Sequence, residues 1–257
     1  MEIIPLRSGS CGNAALVFTE KTKILIDCGV SGRTVENALR ELMIEPDELN
    51  AIVVTHEHSD HIKGVGVMMR RYKVPVFANI ETWDAMYNSI GNTDDDLISV
   101  FGEPFQIGDI GVEPFSIPHD AANPVGYSFL HGKERMSVAT DIGELKCDLF
   151  EAIKGSKTVI LEANHDINML EMGSYPQELK RRIRGKFGHL SNDDAGKAAE
   201  FLVKLGTENI ILGHLSQENN YPDLAFKTVE NALLSADIKC GKDVFLAVAK
   251  RDSVLKL

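Results

Sequence analysis

The chain has 257 residues, of which 44% are hydrophobic and 25% charged, and carries a formal net charge of −11. This length suits one large core, expected to span 1–257 as a single domain, and the composition excludes disordered and fibrous classes. The acidity excludes a surface that coats nucleic acid over its whole extent, since such binding neutralises phosphates with cations, but it leaves room for a local basic patch. No apolar run is long enough to cross a bilayer, and the start MEIIPLRSGS lacks a basic segment followed by a long apolar one, so a cytoplasmic protein without membrane contact is expected. Cys11, Cys28, Cys147 and Cys240 show no CxxC spacing and are expected to be reduced, mostly buried small side chains.

In chain order, the apolar runs AALVF, KILID, AIVVT, VPVFA, YSFL, MSVAT, TVILEA, NIILGH and VFLAVA read as strands bounded by Gly, Asn or Asp. They alternate with amphipathic stretches such as VENALRELM and DAGKAAEFLVKL, which is an α/β pattern. The second stretch predicts a helix over 193–205, with Ser191, Asn192 and Asp193 as N-cap candidates and Ala195, Ala198, Ala199, Leu202 and Leu205 at helical spacing. His56, Asp141 and His214 each follow a strand, where catalytic groups on α/β scaffolds collect.

The run Thr55-His56-Glu57-His58-Ser59-Asp60-His61 follows the buried-looking strand AIVV. In extended chain alternate side chains share a face, so His56 and His58 can grip one ion while the next turn aims Asp60 and His61 at a second. Imidazole and carboxylate donors suit Zn, Mn or Fe.

This HxHxDH segment, preceded by Leu25-Ile26-Asp27-Cys28-Gly29 and followed in order by His119, Asp141 and His214, resembles the metallo-β-lactamase superfamily along essentially the whole chain. The resemblance implies a four-layer αβ/βα sandwich. It also implies two divalent metal ions, one held by His56, His58 and His119 and the other by Asp60, His61 and His214, with Asp141 between them. Asp60 is counted with the catalytic groups as well as the ligands. Asp27 matches the carboxylate that steadies the histidine loop, because a ligating histidine needs its other ring nitrogen held; the lesser alternative is a strand-end aspartate capping a Cys-Gly turn. Two metals so placed lower the pKa of a bound water and stabilise the oxygens of the group attacked, which serves phosphodiesters, thioesters, lactones and β-lactams alike.

Phe187-Gly188-His189-Leu190-Ser191 resembles the extra histidine motif of the phosphodiesterase branch, in which a glutamate on an earlier strand, here Glu162, orients the histidine. Such a pair would serve as a general acid or an electrostatic donor to a phosphoryl oxygen. Just upstream, Lys180, Arg181, Arg182, Arg184 and Lys186 make five basic residues in seven, read either as a solvated face or as a contact for a polyanionic substrate. The small-residue loop from Ser8 to Asn13 reads as an anion nest or a tight hairpin turn. The same loop in similar proteins lies at the rim of the site, which makes Ser10 and Asn13 candidate substrate contacts. His165, His131 and Cys11 stay outside the ligand set.

Only 21 residues separate His119 from Asp141, 72 separate Asp141 from His214, and 43 follow His214. These lengths leave no room for a tRNA-clamping arm, an inserted domain or a C-terminal helical substrate domain. The compact remainder, with SGSCGN, THEHSDH, LEANHD and two GHLS segments, most resembles the bacterial YycJ/WalJ group. That group is associated with metal-dependent exonuclease activity on DNA from the 5′ end, leaving 5′-phosphates, and with DNA repair. DNA is therefore the expected substrate ahead of RNA. A thioester or lactone hydrolase is the alternative; a non-catalytic interaction protein is disfavoured by the intact ligand set.

Overall fold

The computed structural model describes residues 1–255, and among them the strands form two mixed sheets. The first places β1 (Glu2–Arg7), β2 (Ala14–Phe18), β3 (Lys23–Ile26), β4 (Ala51–Val53), β5 (Val76–Ala78) and β6 (Ile98–Val100) side by side in chain order. Its pairs are antiparallel up to β3 and parallel beyond it. The second contains β7 (Phe105–Ile107), β8 (Ile110–Ser116), β9 (Val125–His131), β10 (Glu134–Ala139), β11 (Thr158–Glu162), β12 (Asn209–Gly213) and β13 (Phe245–Val248), again in chain order across the sheet. Here β7 to β10 pair antiparallel and β10 to β13 parallel.

The helices are α1 (Gly32–Glu41), α2 (Ser59–Ile62), α3 (Val65–Tyr72), α4 (Ile80–Met86), α5 (Cys147–Ile153), α6 (Ile167–Met172), α7 (Gln177–Ile183), α8 (Asn192–Lys204) and α9 (Pro222–Ser235). Period-two alternation explains the layering. Ile24 and Ile26 of β3 share one buried cluster with Tyr127, Phe129, Ile160 and Ile211 of the other sheet. Leu25, between them, packs outward with Ile52 against Leu39, Met68 and Trp83. On the far side Leu161 and Leu212 meet Leu149, Ala198, Leu202 and Val229. Strands buried on both faces read as continuous apolar runs, as AIV and TVILE do. The outcome is helix, sheet, sheet, helix: the four-layer αβ/βα sandwich that the sequence implied.

Some boundaries differ from the sequence reading. α1 starts earlier than VENALRELM because the Ser31 side chain accepts the Thr34 N–H and caps the helix there. α8 starts at Asn192, with the Ser191 hydroxyl accepting the Asp194 N–H at 3.1 Å. Strands β6, β7 and β8 are additions, and β1 was implied only by the hairpin reading of the loop after it. The cysteines are free, but only Cys28 is buried; Cys11 and Cys147 are exposed because they sit in a loop tip and at the outer start of α5. Among the described residues no helix is long and apolar enough to cross a membrane.

Candidate metal and catalytic site

Asp27, His56, Asp141 and His214 lie just past the C-terminal ends of β3, β4, β10 and β12, and Glu162 is the last residue of β11. Because these strands run parallel within their sheets, one edge of the sandwich gathers all five, the usual place for a site on such scaffolds. Asp27, Asp141 and His214 leave their strands in the left-handed region, at φ of 57°, 61° and 56°. For a residue bearing a Cβ this costs about 1 kcal/mol or more each.

Three segments are zipped together beneath the ligands. The Asn13 N–H donates to Asp60 O at 2.8 Å, the Gly29 N–H to Asn13 O at 2.7 Å and the Cys28 N–H to His61 O at 2.8 Å. A Cβ at Gly29 would lie 1.5 Å from the Asp60 carbonyl oxygen, so glycine alone permits this approach. The Asp27 carboxylate accepts Thr55 N–H and Oγ1–H, both at 2.8 Å, and the His61 Nδ1–H at 2.7 Å. Since the single Thr55 hydroxyl proton goes to Asp27, its oxygen accepts from His56 Nδ1 at 3.0 Å. His119 Nδ1 donates to Gly188 O at 3.1 Å, and His214 Nδ1 donates to Glu162 at 2.8 Å. Each of these rings thus has its Nδ1 held and its Nε2 turned into the cluster.

Among the described residues, four overlapping groups have their ligand atoms within 4.8 Å of one another: His56, His58 and His119; Asp60, His61 and His214; His56, His61 and Asp141; and Asp141, Glu162, His189 and His214. Asp141 lies between the first two, with Oδ1 3.7 Å from His119 Nε2 and Oδ2 3.3 Å from His61 Nε2. His56 Nε2 and Asp141 Oδ2 are buried without a hydrogen-bond partner among the described residues. Most buried polar atoms in folded proteins are paired, so these two orphans, lying amid a nitrogen and oxygen donor set, fit divalent cations.

The electrostatics agree. Burial alone would strip the proton from His61, but the Asp141 and Asp27 carboxylates outweigh it and hold that imidazole well above its usual range. His214 is likewise lifted to about 10, burial being overcome by Asp141 and by hydrogen bonds to Asp60 and Glu162. Burial and the neighbouring His61 push His56 well down. Against burial, the His214 hydrogen bond and the nearby His61 charge bring Asp60 to about 2. The carboxylates thus gather positive charge where a cation would sit, and a cation would displace those protons.

Glu162 is fully buried and accepts four hydrogen bonds. Oε1 takes His189 Nδ1 at 2.9 Å and His214 Nδ1 at 2.8 Å, and Oε2 takes the N–H groups of Ile142 at 2.6 Å and Leu190 at 3.0 Å. The His189 and His214 interactions offset burial and hold this carboxyl at about 2. His189 therefore stands beside the donor cluster with no hydrogen-bond partner at its Nε2 among the described residues.

The remaining residues singled out in the sequence separate. Arg181, Arg182, Arg184 and Lys186 are exposed on α7 and the turn after it; Arg182 pairs with Asp120 and Arg184 with Glu171 at 2.6 Å. Lys180 is buried, and its ammonium donates to the carbonyls of Glu171 and Gly173, both at 2.7 Å, so it braces the start of this segment and leaves no charge for a ligand. Ser10 is exposed, its hydroxyl accepting the Gln217 N–H at 3.3 Å. Asn13 is buried, its amide nitrogen 3.2 Å from His61 Nε2 and its oxygen accepting the Gly9 N–H. The loop thus serves as scaffold for Asp60 and His61 as well as rim. Sequence reasoning gave no role to Thr55, to Ser8, whose hydroxyl accepts the His214 N–H at 2.8 Å, or to Asn164, whose amide donates to His214 O at 2.9 Å. Their place beside the THEHSDH, SGSCGN and LEANHD segments was the available signal.

Residues 22–215 match the beta-lactamase superfamily domain, and the chain belongs to the metallo-β-lactamase superfamily. The exodeoxyribonuclease YycJ of Bacillus anthracis is 42% identical over 89% of this chain and 87% of its own length. WalJ of Streptococcus pneumoniae, also an exodeoxyribonuclease, is 41% identical over 93% of this chain and 90% of its own. These similarities place the chain with the YycJ/WalJ group of the superfamily. Zinc-bound PqqB of Methylobacterium extorquens shares the fold, with a TM-score of 0.72 at 15% identity over the whole of both chains.

Proposed function

We propose that the protein is a phosphodiesterase with two divalent metal ions, Zn or Mn with Fe also accepted by the donors, acting as an exonuclease on DNA from the 5′ end and leaving 5′-phosphates. His56, His58 and His119 would hold one ion, Asp60, His61 and His214 the other, and Asp141 would serve both. When bound, such ions act as Lewis acids and supply a nucleophile from water near neutral pH. The observation that carries the reading is the Glu162–His189 pair beside this cluster. A carboxyl-ester hydrolase has no need of a second, carboxylate-held imidazole there. In the reaction water adds to phosphorus, the P–O3′ bond breaks, and His189 Nε2 delivers its proton to the departing 3′ oxygen. Glu162 keeps the imidazole oriented and stabilises its charged form.

Arg181 is exposed near His189 with no acidic partner among the described residues, and Arg182, Arg184 and Lys186 beside it could exchange their partners Asp120, Glu171 and Glu144 for a polyanion entering from that side. Exposed Ser10 remains a candidate contact for the substrate, while buried Asn13 would act by bracing Asp60 and His61. The buried cluster shared by both sheets supports reading 1–257 as one domain, and the free cysteines fit a cytoplasmic enzyme. The YycJ and WalJ relatives support DNA as substrate, and a repair role follows from the same likeness.

The test is an assay supplemented with Mn and then Zn, comparing bis-p-nitrophenyl phosphate and 5′-labelled duplex DNA with a thioester, for wild type and Asp141→Ala. Phosphodiester and DNA cleavage that is lost in the variant is the expected result. Turnover of the thioester alone would overturn the substrate class while leaving fold and metals in place.

A further inference from the structure

A cleft of about 360 Å³ opens beside His189 and continues away from the metal ligands. Leu145, Ile167 and Leu190 give it apolar walls. The charges around it are already paired: Arg184 with Glu171 at 2.6 Å, Asp194 with Lys197 at 2.8 Å and Glu144 with Lys186 at 4.0 Å. With two carboxylates and one engaged guanidinium, it offers little to a free phosphate. It suits a flat, uncharged group with polar edges.

His165 also lines this cleft and is 1% exposed, and its Nδ1 has no hydrogen-bond partner among the described residues. Its position is fixed from both sides, because its carbonyl accepts the Asn192 N–H at 2.8 Å and the next residue donates from N–H to Asn219 O at 2.9 Å. The main chain is thus fixed, and a buried ring nitrogen left unpaired in the lining of a cleft is unusual. Burial keeps it neutral, at about 4, so it can both donate and accept.

We propose that this cleft is a nucleoside subsite, taking the base and sugar of the nucleotide whose 3′ oxygen leaves, with His165 hydrogen-bonding the edge of the base. This rests on the phosphodiesterase reading above: His189 protonates that oxygen, so the departing nucleoside must lie on the His189 side.

The experiment is calorimetric binding of deoxyadenosine 5′-monophosphate and of 2-deoxyribose 5-phosphate, which lacks the base, to the metal-loaded protein. Wild type is compared with His165→Phe, which keeps the ring and removes its nitrogens, and with Leu145→Trp, which fills the cleft from a half-buried loop position. Wild type should bind the nucleotide roughly tenfold or more tightly than the sugar phosphate, from burying the apolar faces of one base against Leu145, Ile167 and Leu190. Leu145→Trp should erase that advantage and His165→Phe reduce it severalfold. Equal binding of the two ligands by wild type, or an advantage that survives both substitutions, overturns the subsite. Hydrolysis of bis-p-nitrophenyl phosphate by wild type separates the two readings: hydrolysis without a base advantage removes the cleft alone, and a base advantage without hydrolysis removes the reaction.

Discussion

Replacing Glu162 by glutamine keeps the shape of the side chain and changes only what its ends can accept. The carboxylate takes two N–H groups at each oxygen, the imidazoles of His189 and His214 at one and the backbone of Ile142 and Leu190 at the other. An amide has one oxygen, so whichever way it is set, two donors face its NH₂ group. At about 2 kcal/mol for each buried donor left unpaired, the loss is about 4 kcal/mol, a large share of the roughly 5–15 kcal/mol that holds a domain folded. The imidazoles can escape by moving their protons to Nε2, but His214 then has no lone pair to offer a cation and His189 is held by a weaker partner. Stability or metal must therefore suffer. Urea unfolding, zinc competition against a chelator and turnover of bis-p-nitrophenyl phosphate should show a variant that folds less stably, binds metal roughly 10–100-fold more weakly and turns over roughly 10²–10⁴-fold more slowly. A Glu162→Gln protein with wild-type stability, metal affinity and rate would refute the reasoning.

His189→Ala should retain its metal content, measured by elemental analysis, while phosphodiester cleavage slows roughly 10²–10⁴-fold; an unchanged rate would end its role as acid. Asp141→Ala and His58→Ala should lose both bound metal and hydrolysis, and full activity in either would remove it from the ligand set. Arg181→Ala with Arg184→Ala should weaken DNA binding and flatten its salt dependence by up to about two units of slope, measured by fluorescence anisotropy from low to moderate salt; Arg182 is left in place because it pairs with Asp120 next to His119. In the metal-free protein His214 sits near 10 against an ordinary 6.5, a folded value above the unfolded one. The stability it contributes is complete below pH 6.5 and is lost as pH rises toward 10. Urea midpoints in chelator across that window should fall, and a flat profile would contradict the assignment.

Legibility followed burial. β4 and β11 were plain because both faces of each are covered, leaving unbroken apolar runs. β1 was implied only by the hairpin reading of the loop after it, and β8 escaped notice, because each carries a proline, Pro5 and Pro114, which argues against a central strand. Both residues sit where a strand has a neighbour on one side only: β1 is an edge, and β7 pairs with β8 only as far as Val112. At the site, the ligands could be read because metal chemistry restricts residue type and spacing. Lys180 and Asn13 could not be placed, since a lysine bonded to two carbonyls and an asparagine bracing a helix look, in sequence, like residues free to meet substrate.

The left-handed turns at Asp27, Asp141 and His214 set two kinds of fitness against each other. At these positions the backbone alone would be easiest with glycine, but each side chain satisfies buried partners: Asp27 the donors of Thr55 and His61, Asp141 the charges of His61 and His214, and His214 the carboxylate of Glu162. A library of variants selected only for resistance to heat, in the absence of metal, should accept glycine there only together with changes to the buried partners, such as Thr55, His61 or Glu162, that the lost side chain would leave unpaired. One selected for catalysis should hold them fixed. The geometry that makes the site is thus a strain the two sheets sustain, and the same three strand ends should relax only in step with their buried partners once function no longer demands them.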